Sequence, residues 1–336
     1  PKLAVQNKSL SFSQKRKNLS EQKKKKAAKQ NLKAINPSES EIKSLLEHYQ
    51  NRQYGDAEKL AKSITQQFPQ NQFGWKVLGA ALNQLGRIPE SAVAKEKAVK
   101  LAFNDAEAHS NLGNTLQELG RLDEALASCN QAIALKPDYA EAHSNLGVTL
   151  KELGRLDEAL ASYTQAIALE PDFAEVHYNL GVTLQGLSRL DEAEASYTQA
   201  IALKPGLAEA HSNLGNTLQE LGRLDEAEAS CTQAIALKPD FAEAHYNLGV
   251  TFQELDRLDE AEANYSKALS LKPDFADALY NRSLLLFEKA KYEAALRDAD
   301  ACVSKKARVH TLTLLYALGR IDEIYKRIEI QSKVDG

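Results

Sequence analysis

From residue 38 onward the chain repeats its apolar and polar positions every 34 residues, and inside each repeat the apolar positions fall at helical spacing. In "KPDYAEAHSNLGVTLKELGRLDEALASYTQAIALE", residues 136 to 170, Ala142, Leu146, Leu150 and Leu153 form one apolar stripe. Ala159, Tyr163, Ala166, Ile167 and Leu169 form a second. Each stripe predicts an amphipathic helix, the first about 20 Å long at ~1.5 Å per residue. Gly154 divides the two, Asp157 and Glu158 put carboxylates where the second helix's dipole favours them, and Pro171 closes the pair by removing a backbone donor. Asp138, with Glu141 three residues later, has the arrangement of an N-cap with a capping box. Gly147 offers a bare surface for close helix approach.

Pro69, Pro137, Pro171, Pro205, Pro239 and Pro273 lie on one lattice, with Phe103 in the skipped slot. The lattice defines units 38–71, 72–105, 106–139, 140–173, 174–207, 208–241, 242–275 and 276–309. A shorter unit over about 305–334 follows, where "YALGRIDEIYKRI" arrives some five residues early. The expected fold is all-α, a solenoid of stacked helical pairs. The outer units are degenerate, as terminal capping units are: Ser44-Leu45 and Arg282-Ser283 occupy a slot that reads Leu-Gly in the centre. Gly206 stands where neighbouring units carry their capping aspartate.

The run "HSNLGVTL...A...Y..A....P" resembles the tetratricopeptide repeat, and Trp75, Leu78, Gly79 and Leu82 match its opening most literally. The resemblance covers residues 38 to about 334. It implies an αα superhelix of helix-turn-helix units with a concave groove that binds other proteins, and no catalytic role for the array itself.

Two polar columns compete for a function. His109, His143, His177, His211 and His245 recur one unit apart. Packed helix axes stand roughly 8 to 10 Å from each other, whereas a metal needs its ligands within about 2.0 to 2.3 Å of one point. The ladder cannot converge on a metal, and no nucleophile or acid recurs beside it; the tetratricopeptide resemblance implies that the column packs between the two helices of a unit, where Trp75 and Leu279 also sit. The second column is Asn111, Asn145, Asn179, Asn213, Asn247 and Asn281. With Glu107, Asn114 and Glu118 at spacings of four and three, Asn111 sits on one polar helix face. Glu141, Glu175, Glu209 and Glu243 repeat the glutamate, and Asn216 repeats Asn114.

These asparagines admit two readings. They bridge neighbouring helices and hold the array in register, or their amides pair with the backbone of an extended peptide regardless of its sequence. The units are similar to the repeat array of O-linked N-acetylglucosamine transferases, and that likeness implies the second. At ~10 Å per unit and ~3.4 Å per extended residue, five intervals would span about fifteen peptide residues. The family's carboxylate clamp of lysines and an arginine is missing, because Ser110, Ser144, Tyr178, Ser212, Tyr246 and Tyr280 precede the asparagines. The repeated glutamates predict a groove that disfavours acidic peptides and nucleic acid.

Charge divides the chain. Residues 1–36 carry a net charge of +10 and the remainder −14, so a basic arm, predicted to be disordered, precedes an acidic body. Nucleic acid or an anionic surface is expected only through that arm, where Phe12 is the one aromatic. Cys129, Cys231 and Cys302 read as small core residues. Without a membrane-length apolar run, the chain is expected to be cytoplasmic. No phosphate loop, zinc spacing or catalytic constellation is present, so no cofactor or metal is expected and the partner is a protein or peptide segment. A second expectation makes the array the substrate-recruiting part of an enzyme whose catalytic domain lies beyond Gly336. Similar bacterial arrays precede glycosyltransferases, sulfotransferases or 2-oxoglutarate-dependent oxygenases.

Overall fold

The computed structural model describes residues 36–302 and 304–334, and the basic arm expected over 1–36 lies outside them except for Asn36. The chain divides into two compact units, Pro1–Arg155 and Leu156–Gly336. Among the described residues every regular element is an α-helix. The first unit holds α1 (Glu39–Gln50), α2 (Tyr54–Gln67), α3 (Gln72–Gln84), α4 (Ile88–Leu101), α5 (Ala106–Glu118), α6 (Leu122–Leu135) and α7 (Ala140–Glu152). The second holds α8 (Leu156–Leu169), α9 (Ala174–Gly186), α10 (Leu190–Leu203), α11 (Ala208–Glu220), α12 (Leu224–Leu237), α13 (Ala242–Glu254), α14 (Leu258–Leu271), α15 (Ala276–Glu288), α16 (Tyr292–Ala301), α17 (Lys305–Ala317) and α18 (Ile321–Val334). Within each unit, short connections make successive helices antiparallel neighbours.

One backbone device ends the first helix of every pair. Arg121 N donates to Leu116 O at 2.9 Å and Gly120 N to Gln117 O at 2.8 Å, which is a Schellman closure around a left-handed residue. The left-handed positions are Arg52, Gly86, Gly120 and Gly154 in the first unit and Ser188, Gly222, Asp256, Ala290 and Gly319 in the second. Four of these nine carry a side chain and hold φ between 54° and 59°, where an L-residue is strained and glycine is not.

The expected capping boxes do not form. The N-cap of α7 is Tyr139, not Asp138, and it makes no side-chain cap; Phe173, Leu207, Phe241 and Phe275 occupy the same place in α9, α11, α13 and α15. Tyr139 N donates to Lys136 O at 3.2 Å, so Pro137 and Asp138 are the two central residues of a turn, and the aspartate lies one residue short of the cap. Gly206, one residue before its own helix's N-cap, therefore lacks no cap that its neighbours possess. Asp105 and Asn71 do cap α5 and α3, through Ala108 N and Gly74 N.

The core lies between paired helices. Ala125, Cys129 and Ala132 of α6, Ala193, Tyr197 and Ala200 of α10, and Ala227, Cys231 and Ala234 of α12 are fully buried. Leu146, Leu153, Ile167 and Leu169, counted in the predicted stripes, are only half-buried. A Cβ on Gly181 would stand 2.7 Å from the Tyr197 ring, and one on Gly249 2.7 Å from the Tyr265 ring, so these glycines let large side chains of the second helix press on the first. Where Ser283 replaces glycine, its buried hydroxyl donates to Ala295 O at 2.7 Å, and adjacent Arg282 forks onto Asp298 at 2.6 and 2.7 Å. Helix α16 has 10 residues against 14 in α14, which brings the last pair in early.

Candidate functional site

The histidines latch each first helix to the turn before it. The Nε2 atoms of His109, His143, His177, His211 and His245 lie 2.9 to 3.2 Å from the carbonyls of Phe103, Pro137, Pro171, Pro205 and Pro239. A carbonyl only accepts, so each ring carries its proton on Nε2. Trp75 Nε1 makes the same bond to Pro69 O at 3.0 Å. The column is thus a hydrogen-bond latch that an indole can replace, and among the described residues no group of three or more His, Cys, Asp or Glu is placed to hold a metal.

The asparagines are half-buried on the same helices, and several reach the preceding repeat. In the first unit Asn145 Nδ2 donates to Ser110 Oγ at 3.0 Å. In the second, Asn213 donates to Tyr178 Oη at 3.3 Å and Asn281 to Tyr246 Oη at 3.1 Å. Asn247 donates to both Ser212 O at 3.3 Å and Ser212 Oγ at 3.1 Å. The residue before one asparagine therefore accepts from the next asparagine along. This bridging uses the NH2 end of the amide; each of these four Oδ1 atoms has two lone pairs and accepts nothing among the described residues. Beneath the column, buried Thr115, Thr149, Thr183, Thr217 and Thr251 donate to the backbone carbonyls of Asn111, Asn145, Asn179, Asn213 and Asn247 at 2.8 to 3.1 Å.

The glutamates on this face are mostly compensated. Glu175, Glu209 and Glu243 pair with Lys204, Lys238 and Lys272 at 2.7, 3.1 and 3.0 Å, and Glu107 with Lys76 at 2.8 Å. Glu141 accepts from the Tyr139 hydroxyl at 2.9 Å instead. Lys204 holds the Glu175 carboxyl below the ordinary range, and Glu209 is lowered by its own backbone N–H and then by Lys238. Asn114 and Asn216 donate to Glu118 and Glu220 one turn on, at 2.9 and 2.7 Å. The face is polar and hydrogen-bonding, without the free carboxylate array that the glutamate spacing suggests.

Sequence reasoning missed a different feature. Lys95 of α4 stands where Cys129, Tyr163, Tyr197, Cys231 and Tyr265 stand in later repeats, and it is buried. Its Nζ donates to Asn111 O at 3.2 Å and Thr115 Oγ1 at 2.5 Å. Burial pushes its pKa down to about 8 against the weak opposing pull of Glu118. Counting back 34 residues from Asn114 reaches Ala80, from Asn111 Val77 and from Glu107 Phe73, so the change of chemistry at this end was readable from the lattice.

Among the described residues no helix is long and apolar enough to cross a membrane. Residues 116–154, 149–188 and 186–222 match a family described as TPR repeat, and 208–241 and 242–275 one described as tetratricopeptide repeat. Residues 116–275 are therefore tetratricopeptide repeats. Comparison with curated proteins returned no match. Among solved structures, Cut9–Hcn1, an APC/C hetero-tetramer, aligns at TM-score 0.63 and 17% identity over 78% of this chain and 52% of that one, a likeness of fold. YrrB, a TPR protein with an unusual peptide-binding site, aligns at TM-score 0.48 and 28% identity over 57% of this chain and 98% of that one. MamA aligns at TM-score 0.45 and 26% identity over 49% and 97%.

Proposed function

We propose that this protein is a non-catalytic interaction scaffold whose asparagine face binds an extended segment of a partner protein through the segment's backbone. The observation that carries the reading is the divided use of each bridging amide. Nδ2 is tied to the neighbouring repeat, which fixes the side chain's direction, and Oδ1 is left to accept a backbone N–H. Bridging and peptide contact, alternatives when read from sequence, then become two ends of one group. The peptide contact is sequence-tolerant because every residue except proline offers the same donor. Over the second unit, Asn179 to Asn281 spans three intervals, about nine extended residues at ~10 Å per repeat. The lysine-paired glutamates leave the face able to accept peptides of either charge. The likeness to the arrays of O-linked N-acetylglucosamine transferases agrees with such a grip.

The test is a variant with Asn213, Asn247 and Asn281 all replaced by Ala. Binding of a fluorescein-labelled Ser/Thr/Gly peptide of about twelve residues should weaken at least tenfold while far-UV circular dichroism is retained. A folded variant with unchanged affinity would reduce the asparagines to bridges alone.

A further inference from the structure

In the first unit apolar side chains interrupt the polar columns and share the lining of a pocket with polar ones. Phe73 replaces the glutamate, Val77 the asparagine, and Ala80 and Leu46 the position of Asn114. With Tyr49 and Ala98 these side chains wall a cavity of about 560 Å³, whose lining also includes Lys95, Asn111 and Asn114. A volume of this size accommodates a large side chain with room for flanking backbone. Leu46 is 36% exposed, so a large apolar group stands open beside the cavity.

Lys95 gives the cavity a second character. An ammonium carries three donors, and two are taken up by Asn111 O and Thr115 Oγ1. No carboxylate among the described residues lies within ion-pair distance of it. Lys76, which lines the same cavity, is instead held by Asp105 at 3.1 Å and Glu107 at 2.8 Å. A buried ammonium with a donor left over is stabilised by an incoming acceptor. An ammonium only donates, and the acceptor that every peptide residue brings is its backbone carbonyl.

We infer that this cavity is an anchor subsite that takes one bulky apolar side chain of the partner peptide, Phe or Leu, while Lys95 donates to an adjacent backbone carbonyl. The inference rests on the peptide-binding reading above and adds a sequence preference to an otherwise sequence-tolerant grip. It explains why the columns change where they do: the ladder holds backbone, and this pocket selects a side chain.

Two labelled peptides of about twelve Ser, Thr and Gly residues, one with a single Phe near an end and one with Ala there, are titrated into the full chain. The Phe peptide should bind about tenfold tighter or more. Ala80→Asn, which restores the residue of the Asn114 column and puts a polar side chain into the cavity wall, should remove that difference. Phe73→Glu serves if the first variant does not fold, and Lys95→Met should shrink the preference severalfold. Asn145→Ala, in the same unit as the pocket, should weaken both peptides, and a ratio preserved there supports the subsite. Equal binding of both peptides to the unaltered chain overturns the subsite and leaves the backbone reading standing; binding of neither overturns both. A sedimenting dimer that the Phe peptide dissociates would assign the pocket to a second copy and overturn the inference.

Discussion

The side-chain amide of Asn247 in α13 donates at once to the backbone carbonyl and the hydroxyl of Ser212 in α11, at 3.3 and 3.1 Å. The carbonyl can only accept, so the orientation of the amide is determined and Oδ1 is turned away from Ser212. Replacing Asn247 by Ala removes this bridge and should cost about 1 kcal/mol in urea denaturation. Ser212→Ala leaves the carbonyl acceptor in place and should cost less.

The left-handed closures offer a second measurement. Ala290 at φ 54° and Asp256 at φ 59° hold a conformation that glycine adopts freely at Gly222 and Gly319. Ala290→Gly should stabilise the chain by up to about 1 kcal/mol, the relief of left-handed strain being partly offset by the entropy of the unfolded glycine. Gly222→Ala should destabilise by a similar amount, and chemical denaturation of the two variants checks both signs.

Lys95 links stability to pH. Its folded pKa, about 8, lies below the ordinary lysine value, so between that point and roughly pH 10.4 the unfolded chain binds more protons. Stability from this group is therefore lowest below pH 8 and rises as pH climbs through that window. Lys95→Met should stabilise the protein at pH 7, by at most about 3 kcal/mol, and the advantage over the unaltered chain should shrink towards pH 10. Paired denaturation curves at the two pH values read the difference.

The histidine latch can be exchanged or broken. His143→Phe keeps an aromatic ring but strips the partner from Pro137 O, and should cost about 1 kcal/mol. His143→Trp, which copies Trp75 and its bond to Pro69 O, should recover part of that loss in thermal melting.

Burial makes the central thiols inert. The Cys129 and Cys231 thiols are both pushed up to about 12, and each presses on a glycine of the paired helix, Gly113 and Gly215. Iodoacetamide at pH 8 should leave both unlabelled in the folded chain and modify both in denaturant, as mass spectrometry of the peptides would register.

The helices and their pairing were legible because a 34-residue period repeats the same apolar spacing many times, and each copy confirms the last. Gly154 marked a break correctly, but Ser188, Asp256 and Ala290 hide the same left-handed turn, since nothing in their side chains asks for it. Asp138 misled because Pro137 before it makes a turn that takes in the aspartate one residue short of the helix. The asparagine bridge was foreseeable only as an alternative, because its acceptor, Ser110, Tyr178, Ser212 or Tyr246, comes from the neighbouring repeat. Lys95 was overlooked for a plainer reason: a lone lysine in a charged sequence draws no notice until its column is seen to hold cysteine and tyrosine.

The central claim is that Oδ1 of these asparagines accepts hydrogen bonds from a partner's backbone. Calorimetric titration of the full chain with a Ser/Thr/Gly peptide of about twelve residues, and with the same peptide N-methylated at every third residue, tests it most directly. N-methylation removes the donors and leaves the side chains, so the methylated peptide should bind at least tenfold more weakly, and the two should become alike in the Asn213, Asn247 and Asn281 alanine variant. Equal affinity of both peptides for the unaltered chain would contradict the account.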